Sequence, residues 1–136
     1  PIVMDMATRE VAEEQPYIHR VSRLGAVAER MGRGLAFVRA ASHAIWSGEI
    51  DNWHEGDHLT RALESAGLDA AEIERVVSEQ AAEIDAEIAA NEAAQRNAGH
   101  WGVPLFVFND EPFFGQDRIE HLVWRLKQAG MKARPA

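Results

Sequence analysis

The chain has 136 residues, 46% of them hydrophobic, which suits one globular domain with an ordinary core. Its formal charge of −8 excludes the basic face that a nucleic acid or an anionic membrane surface requires, and the absence of cysteine excludes redox work through a CxxC pair. No apolar run reaches the ~18 residues of a membrane-spanning helix, and no basic-then-apolar leader is visible, which leaves the cytoplasm as the default location.

Residues 1 to 15 read as a short helix or a frayed lead, and Pro16 suits the first turn of the next helix. Tyr17, Val21, Leu24, Ala28 and Met31 then recur on one helical face, with Gly32 and Gly34 as its end. A second helix is predicted with Leu35, Val38, Ala41 and Ile45 inward, stopping near Gly48. Glu49 to Gly56 is a loop. Asp57 is placed to cap a third helix that buries Leu59, Ala62, Leu63 and Ala66 and ends at Gly67. Asp69 caps the longest predicted helix, with Ile73, Val77, Ala81, Ile84 and Ile88 at helical spacing and an end by Gly99. The many Glu residues of 72 to 92 are its solvated face.

The end of the chain is different. Gly102-Val103-Pro104 opens an apolar run, Leu105-Phe106-Val107-Phe108; Asn109-Asp110 is a polar turn; a second short run leads through Phe114-Gly115-Gln116-Asp117-Arg118 into a helix start. The order is strand, turn, strand, helix. Pro104 stands where a strand begins, where a missing N–H is tolerated. A cis Val103–Pro104 bond is expected, turning the Val103 backbone outward toward an extended ligand. Ile119, Leu122, Val123 and Leu126 are the expected buried stripe of the final helix.

These two motifs, Gly102-Val103-Pro104 and Phe114 to Arg118, resemble those of the 2-hydroxychromene-2-carboxylate isomerases and kappa-class glutathione transferases, DsbA-like relatives in the thioredoxin superfamily. The resemblance extends back through residues 17 to 98, which look like the helical domain that this family inserts into the thioredoxin fold. It implies a mostly α (α+β) protein: a helical insertion-type region at 1–98 and the C-terminal half of a thioredoxin-like fold, hairpin and helix, at 99–136, in one compact unit. In the family a strand, a Ser or Cys at a helix N-terminus and a second strand come first. Residues 1 to 16 show no such unit, and Ser22, Ser42, Ser47, Ser65 and Ser78 lie in the helical part. The expectation is a chain that keeps the ligand-binding half, lacks the nucleophile half, and leaves the catalytic residue unknown.

The resemblance further implies glutathione as cofactor. Its cysteinyl part falls to the backbone of Val103, next to Pro104, and its γ-glutamyl end to Gln116 and Asp117. A helix start offers free N–H groups to a carboxylate, and Asp117 suits an ammonium group; on residue type alone, Asp117 is equally a side chain that favours the helix start. The implied reaction is isomerisation of an aromatic-ring-cleavage product. Trp101 is the candidate wall for a small aromatic-derived substrate, although packing accounts as simply for Trp46, Trp53, Trp101 and Trp124. His100 is either a ligand donor or a surface histidine. A homodimer is expected, because the strand beginning at Pro104 would pair with a first strand that residues 1 to 16 do not supply.

Two other function classes compete: a non-catalytic helical binding or assembly module that uses the open strand edge, and a zinc hydrolase. His54-Glu55-Gly56-Asp57-His58 matches HExxH. That chemistry needs both histidines on one helical face. Gly56 inside the motif and Asp57 as a cap argue for a polar loop, so no metal is expected.

Overall fold

The structure, a computed structural model, describes residues 15 and 17–132. Pro16 and nearly all of the predicted lead lie outside the described residues. The chain divides into two compact units, Pro1–Ile88 and Ala89–Ala136.

The first unit is helical: α1 (Ile18–Arg30), α2 (Gly34–Trp46), α3 (His58–Ser65), α4 (Ala70–Glu79) and the start of α5 (Ala81–Asn97). Its core draws Leu24, Val27 and Ala28 from α1, Phe37, Ala41 and Ala44 from α2, Leu59, Ala62 and Leu63 from α3, Ile73 and Val77 from α4, and Ile84 from α5. Tyr17 and Val21 pack at its margin, while Met31 is exposed. Gly48 and Gly67 adopt positive φ at the predicted helix ends. The Asp69 carboxylate accepts from Glu72 N–H at 3.1 Å, as a cap should.

Four helix readings are corrected. Gly34 opens α2 instead of ending α1; it is buried, and a Cβ there would collide with the Glu29 side chain. The buried face of α2 is Phe37, Ala41 and Ala44, while Leu35 is 88% exposed and Val38 is exposed too. Two apolar stripes run along this helix, and the one carrying the aromatic ring won the core. Asp57 does occupy the position before α3, but its carboxylate makes no cap. It accepts instead from Arg61 Nη2 at 2.8 Å, one turn on. The single long helix is two, interrupted at Gln80 (φ −118°, ψ 22°). At that break Arg30 reaches Gln80 and, on α5, Glu83 and Glu87.

The second unit contains the end of α5, strands β1 (Leu105–Phe108) and β2 (Glu111–Phe114), a 3₁₀ turn (Gln116–Arg118) and α6 (Ile119–Gln128). The strands pair antiparallel with Leu105 opposite Phe114 and Phe108 opposite Glu111. Asn109 and Asp110, at φ 50° and 61°, close the hairpin. Positive φ at both positions is the signature of a type I′ turn, whose twist suits two strands, and short Asn and Asp side chains tolerate it. One sheet face carries Phe106 and Phe113. Phe113 is buried and meets the His121 ring edge-on at 5.4 Å, and Arg125 of α6 bonds Glu111 at 2.6 Å. The expected burial of Ile119, Leu122, Val123 and Leu126 is not found: no residue of α6 is buried, and Ile119 and Val123 are exposed. Of the four tryptophans only Trp53 is in a core; Trp46, Trp101 and Trp124 are exposed.

Candidate functional site

The Val103–Pro104 peptide is cis, as the motif predicts. The strand register then settles which way the neighbouring backbone groups point. Gly115 N–H donates to the Pro104 carbonyl at 2.9 Å. In an antiparallel ladder, residues alternate between facing the partner strand and facing away. Pro104 faces β2, so Phe106 and Phe108 do as well. Leu105 and Val107 therefore direct N–H and C=O to the outer edge of β1, where the sheet has no further strand among the described residues; Val103, ahead of the strand and across the cis bond, is exposed, and its N–H and C=O form no hydrogen bond within the described residues. The two outer edges differ. Pro112 sits at an outward-facing position of β2 and carries no N–H, which blunts that edge; β1 keeps its donors.

Leu105 and Val107 also share one sheet face, since parity fixes both backbone and side-chain direction. With Val103 they line an open groove of about 380 Å³, together with Asn91, Ala94 and Gln95 of α5 and Ala98 just beyond it. Val103 is 79% exposed at its end.

The Gly115–Pro104 bond also joins this loop to the start of α6. Gly115 has φ 93°, and a Cβ on it would lie 2.4 Å from the Asp117 carboxylate, so only glycine fits. The helix begins as a 3₁₀ turn, with Arg118 N–H returning to the Gly115 carbonyl at 3.1 Å. Gln116 and Asp117 are both exposed there. Asp117 has Arg118 Nε at 3.8 Å, an exposed pairing that an incoming cation can replace. Of the sequence candidates, Val103, Pro104, Gln116 and Asp117 thus sit on two segments held together by one backbone bond. Trp101 is two residues from Val103 and 80% exposed. Gln95 went unnoticed in the sequence because a glutamine in an Ala- and Glu-rich helix reads as solvated surface.

His54 and His58 are not on one helical face. His54 lies in the turn before α3, its ring 3.9 Å from that of Tyr17, and His58 is the first residue of the helix. Among the described residues, no three His, Asp or Glu side chains gather as a metal site, and no helix is long and apolar enough to cross a membrane.

Residues 8–127 match the family model of the DSBA-like thioredoxin domain. The chain is also similar to a 2-hydroxychromene-2-carboxylate isomerase from Sphingobium xenophagum, 36% identical over 87 residues. That alignment covers 64% of this chain and 43% of the relative, so the match spans less than half of the relative's length. No solved structure matches.

Proposed function

The chain belongs to the DsbA-like thioredoxin-domain family, and from that premise we propose that it forms the ligand-binding half of a glutathione-dependent isomerase acting on a 2-hydroxychromene-2-carboxylate-like compound. The observation that carries this reading is the exposed Val103, with no hydrogen bond on its backbone, at the cis bond to Pro104, whose carbonyl is tied to Gly115 at the start of the turn into α6. Glutathione is an extended peptide-like thiol. Its cysteinyl N–H and C=O complement those of Val103 in the manner of an added strand. Its γ-glutamyl carboxylate suits the free N–H groups at Gln116 and Asp117, and its ammonium group suits the Asp117 carboxylate.

In the proposed reaction the glutathione sulfur, as thiolate, adds to one carbon of a conjugated double bond. A C–S bond forms, the double bond becomes single as its π electrons move onto the conjugated carbonyl oxygen as an enolate, and the substrate turns about the new single bond. Expulsion of the thiolate restores the double bond in the other geometry, and glutathione is unchanged overall. Trp101 supplies an aromatic wall beside the thiol. The proposal assigns no nucleophile to this chain. A cofactor that must stay reduced fits a reducing compartment such as the cytoplasm.

Calorimetric titration with glutathione tests binding, and an isomerase assay with 2-hydroxychromene-2-carboxylate tests the reaction. Absence of any heat, with the fold intact by circular dichroism, would overturn the assignment. A second reading, an assembly module, is favoured by the open donors of β1 and the exposed Val107. In both readings two copies pair as a homodimer through the Leu105 and Val107 groups of this edge, which in the first reading leaves Val103 to the ligand. Light scattering at micromolar concentration would give twice the chain mass; a monomer with a concentration-independent melt would remove the dimer.

A further inference from the structure

The two residues ahead of Val103 are held by side chains rather than by a backbone ladder. Gln95, near the end of α5, donates through Nε2 to the Trp101 carbonyl at 3.2 Å and to the Gly102 carbonyl at 2.8 Å. Gly102 N–H donates to His100 Nδ1 at 2.8 Å. The His100 imidazole lies flat on Phe114, 3.5 Å between ring centres with planes 14° apart, and the Trp101 ring follows at 5.7 Å. Gly102 is buried under this stack: a Cβ there would meet Phe114 at 2.6 Å and His100 at 3.0 Å.

Each contact has a distinct effect. The Gln95 amide fixes the tilt of two successive peptide planes. The Gly102–His100 bond requires a bare lone pair on Nδ1, so the neutral ring carries its hydrogen on Nε2. Stacking on Phe114, a β2 residue, ties that acceptor to the hairpin. Both carbonyls of Trp101–Gly102 and the Gly102 N–H are thereby satisfied, and the first residue of the loop left with an unpaired N–H and C=O after this clamp is Val103.

We propose that Gln95 and His100 are positioning residues: they hold the Trp101–Gly102 segment so that the Val103 N–H and C=O stand ready for an extended ligand. The ligand half of this proposal rests on the glutathione reading above, and the clamp does not. Preorganising a loop in its bound form raises affinity by removing the cost of ordering it. Neither residue touches the reacting atoms.

The test uses the full ¹⁵N-labelled chain with three variants. His100→Phe keeps a flat ring on Phe114 and removes the acceptor. His100→Asn returns an acceptor without the ring. Gln95→Leu removes the donor and touches no ring. Without ligand, His100→Phe and Gln95→Leu are expected to shift the Gly102 amide resonance. His100→Phe should also raise Gly102 hydrogen exchange about tenfold, the scale of one lost hydrogen bond, and His100→Asn should restore part of that protection. With glutathione, half-saturation of the Val103 amide shift should move about tenfold higher in His100→Phe and Gln95→Leu. Resonances of residues 17–88 should stay in place, which a general loss of stability would not allow. Unchanged Gly102 exchange in His100→Phe overturns the clamp. If that variant loses the hairpin resonances, Gln95→Leu decides through the same Gly102 and Val103 shifts. A wild-type Val103 amide that ignores glutathione overturns the ligand half and the reading it rests on, while the Gly102 data judge the clamp separately.

Discussion

Arg23 grips Asp85 with both arms of its guanidinium: Nε donates to Oδ1 at 2.7 Å and an Nη to Oδ2 at 2.6 Å. The bond fastens α1 to the second turn of α5, in a unit where α5 contributes a single buried residue, Ile84. Hydrogen bonding to Arg23 holds the Asp85 carboxyl below its ordinary range. A lowered folded-state pKa means stability that is present above the unfolded value, about 4, and is lost as pH falls through the folded one. The melting temperature of Asp85→Asn should therefore lie below wild type at pH 7. The gap should narrow below pH of about 4 and close once Asp85 is protonated in both states. A gap that is constant from pH 7 to 2 would show that the carboxylate contributes nothing through its charge.

The two apolar stripes of α2 give a second prediction. Phe37 is 1% exposed in the core, while Leu35 stands in solvent. Phe37→Ala should cost about 3–5 kcal/mol in denaturant unfolding. Leu35→Ala should stay within about 0.5 kcal/mol. Equal losses would mean that Leu35 is covered in solution.

At the helix start, Asp117→Ala should weaken glutathione binding by about tenfold or more, because a hydrogen bond to a charged group is worth roughly 1.5–3 kcal/mol. Glu120→Ala, one residue into α6, should change it little. Calorimetry giving one affinity for both variants would refute the role of Asp117.

Glycine substitutions separate crowding from helix propensity. Gly102→Ala pushes a methyl group into Phe114 and His100 and should destabilise by about 1–3 kcal/mol, the usual cost of overpacking. Gly25→Ala, inside α1, meets only Phe37 at 3.7 Å and should stabilise, since alanine is favoured over glycine in a helix by ~1 kcal/mol. Thermal melts that shift both variants in the same direction would contradict the packing around Gly102.

Much of this was legible in the sequence where a local rule acts alone. Asp69 capped its helix, Gly48 and Gly67 ended theirs, Asn109-Asp110 turned the hairpin, and Val103-Pro104 marked its cis bond. What was not legible depends on distant partners. Residues 70 to 98 contain no Gly or Pro to announce the break at Gln80. Choosing between the Leu35 and Phe37 stripes requires knowing what α2 packs against. The α6 stripe has helical spacing, yet spacing cannot say whether anything covers it. At the site, the Gly-Val-Pro and Gln-Asp segments were visible, but the bond that joins them and the grip of Gln95 and His100 are tertiary facts.

The two-residue turn at the far end of the hairpin governs the chemistry at its mouth. With only Asn109 and Asp110 between the strands, Phe108 is locked opposite Glu111, and the pairing has no slack to slide. A slip of one residue would turn every backbone group to the opposite side. Pro104, which has no N–H to offer, would then face outward, and the polar groups of Leu105 and Val107 would be turned toward β2. Which residues face the open edge is thus decided by the handedness of a turn that no ligand reaches.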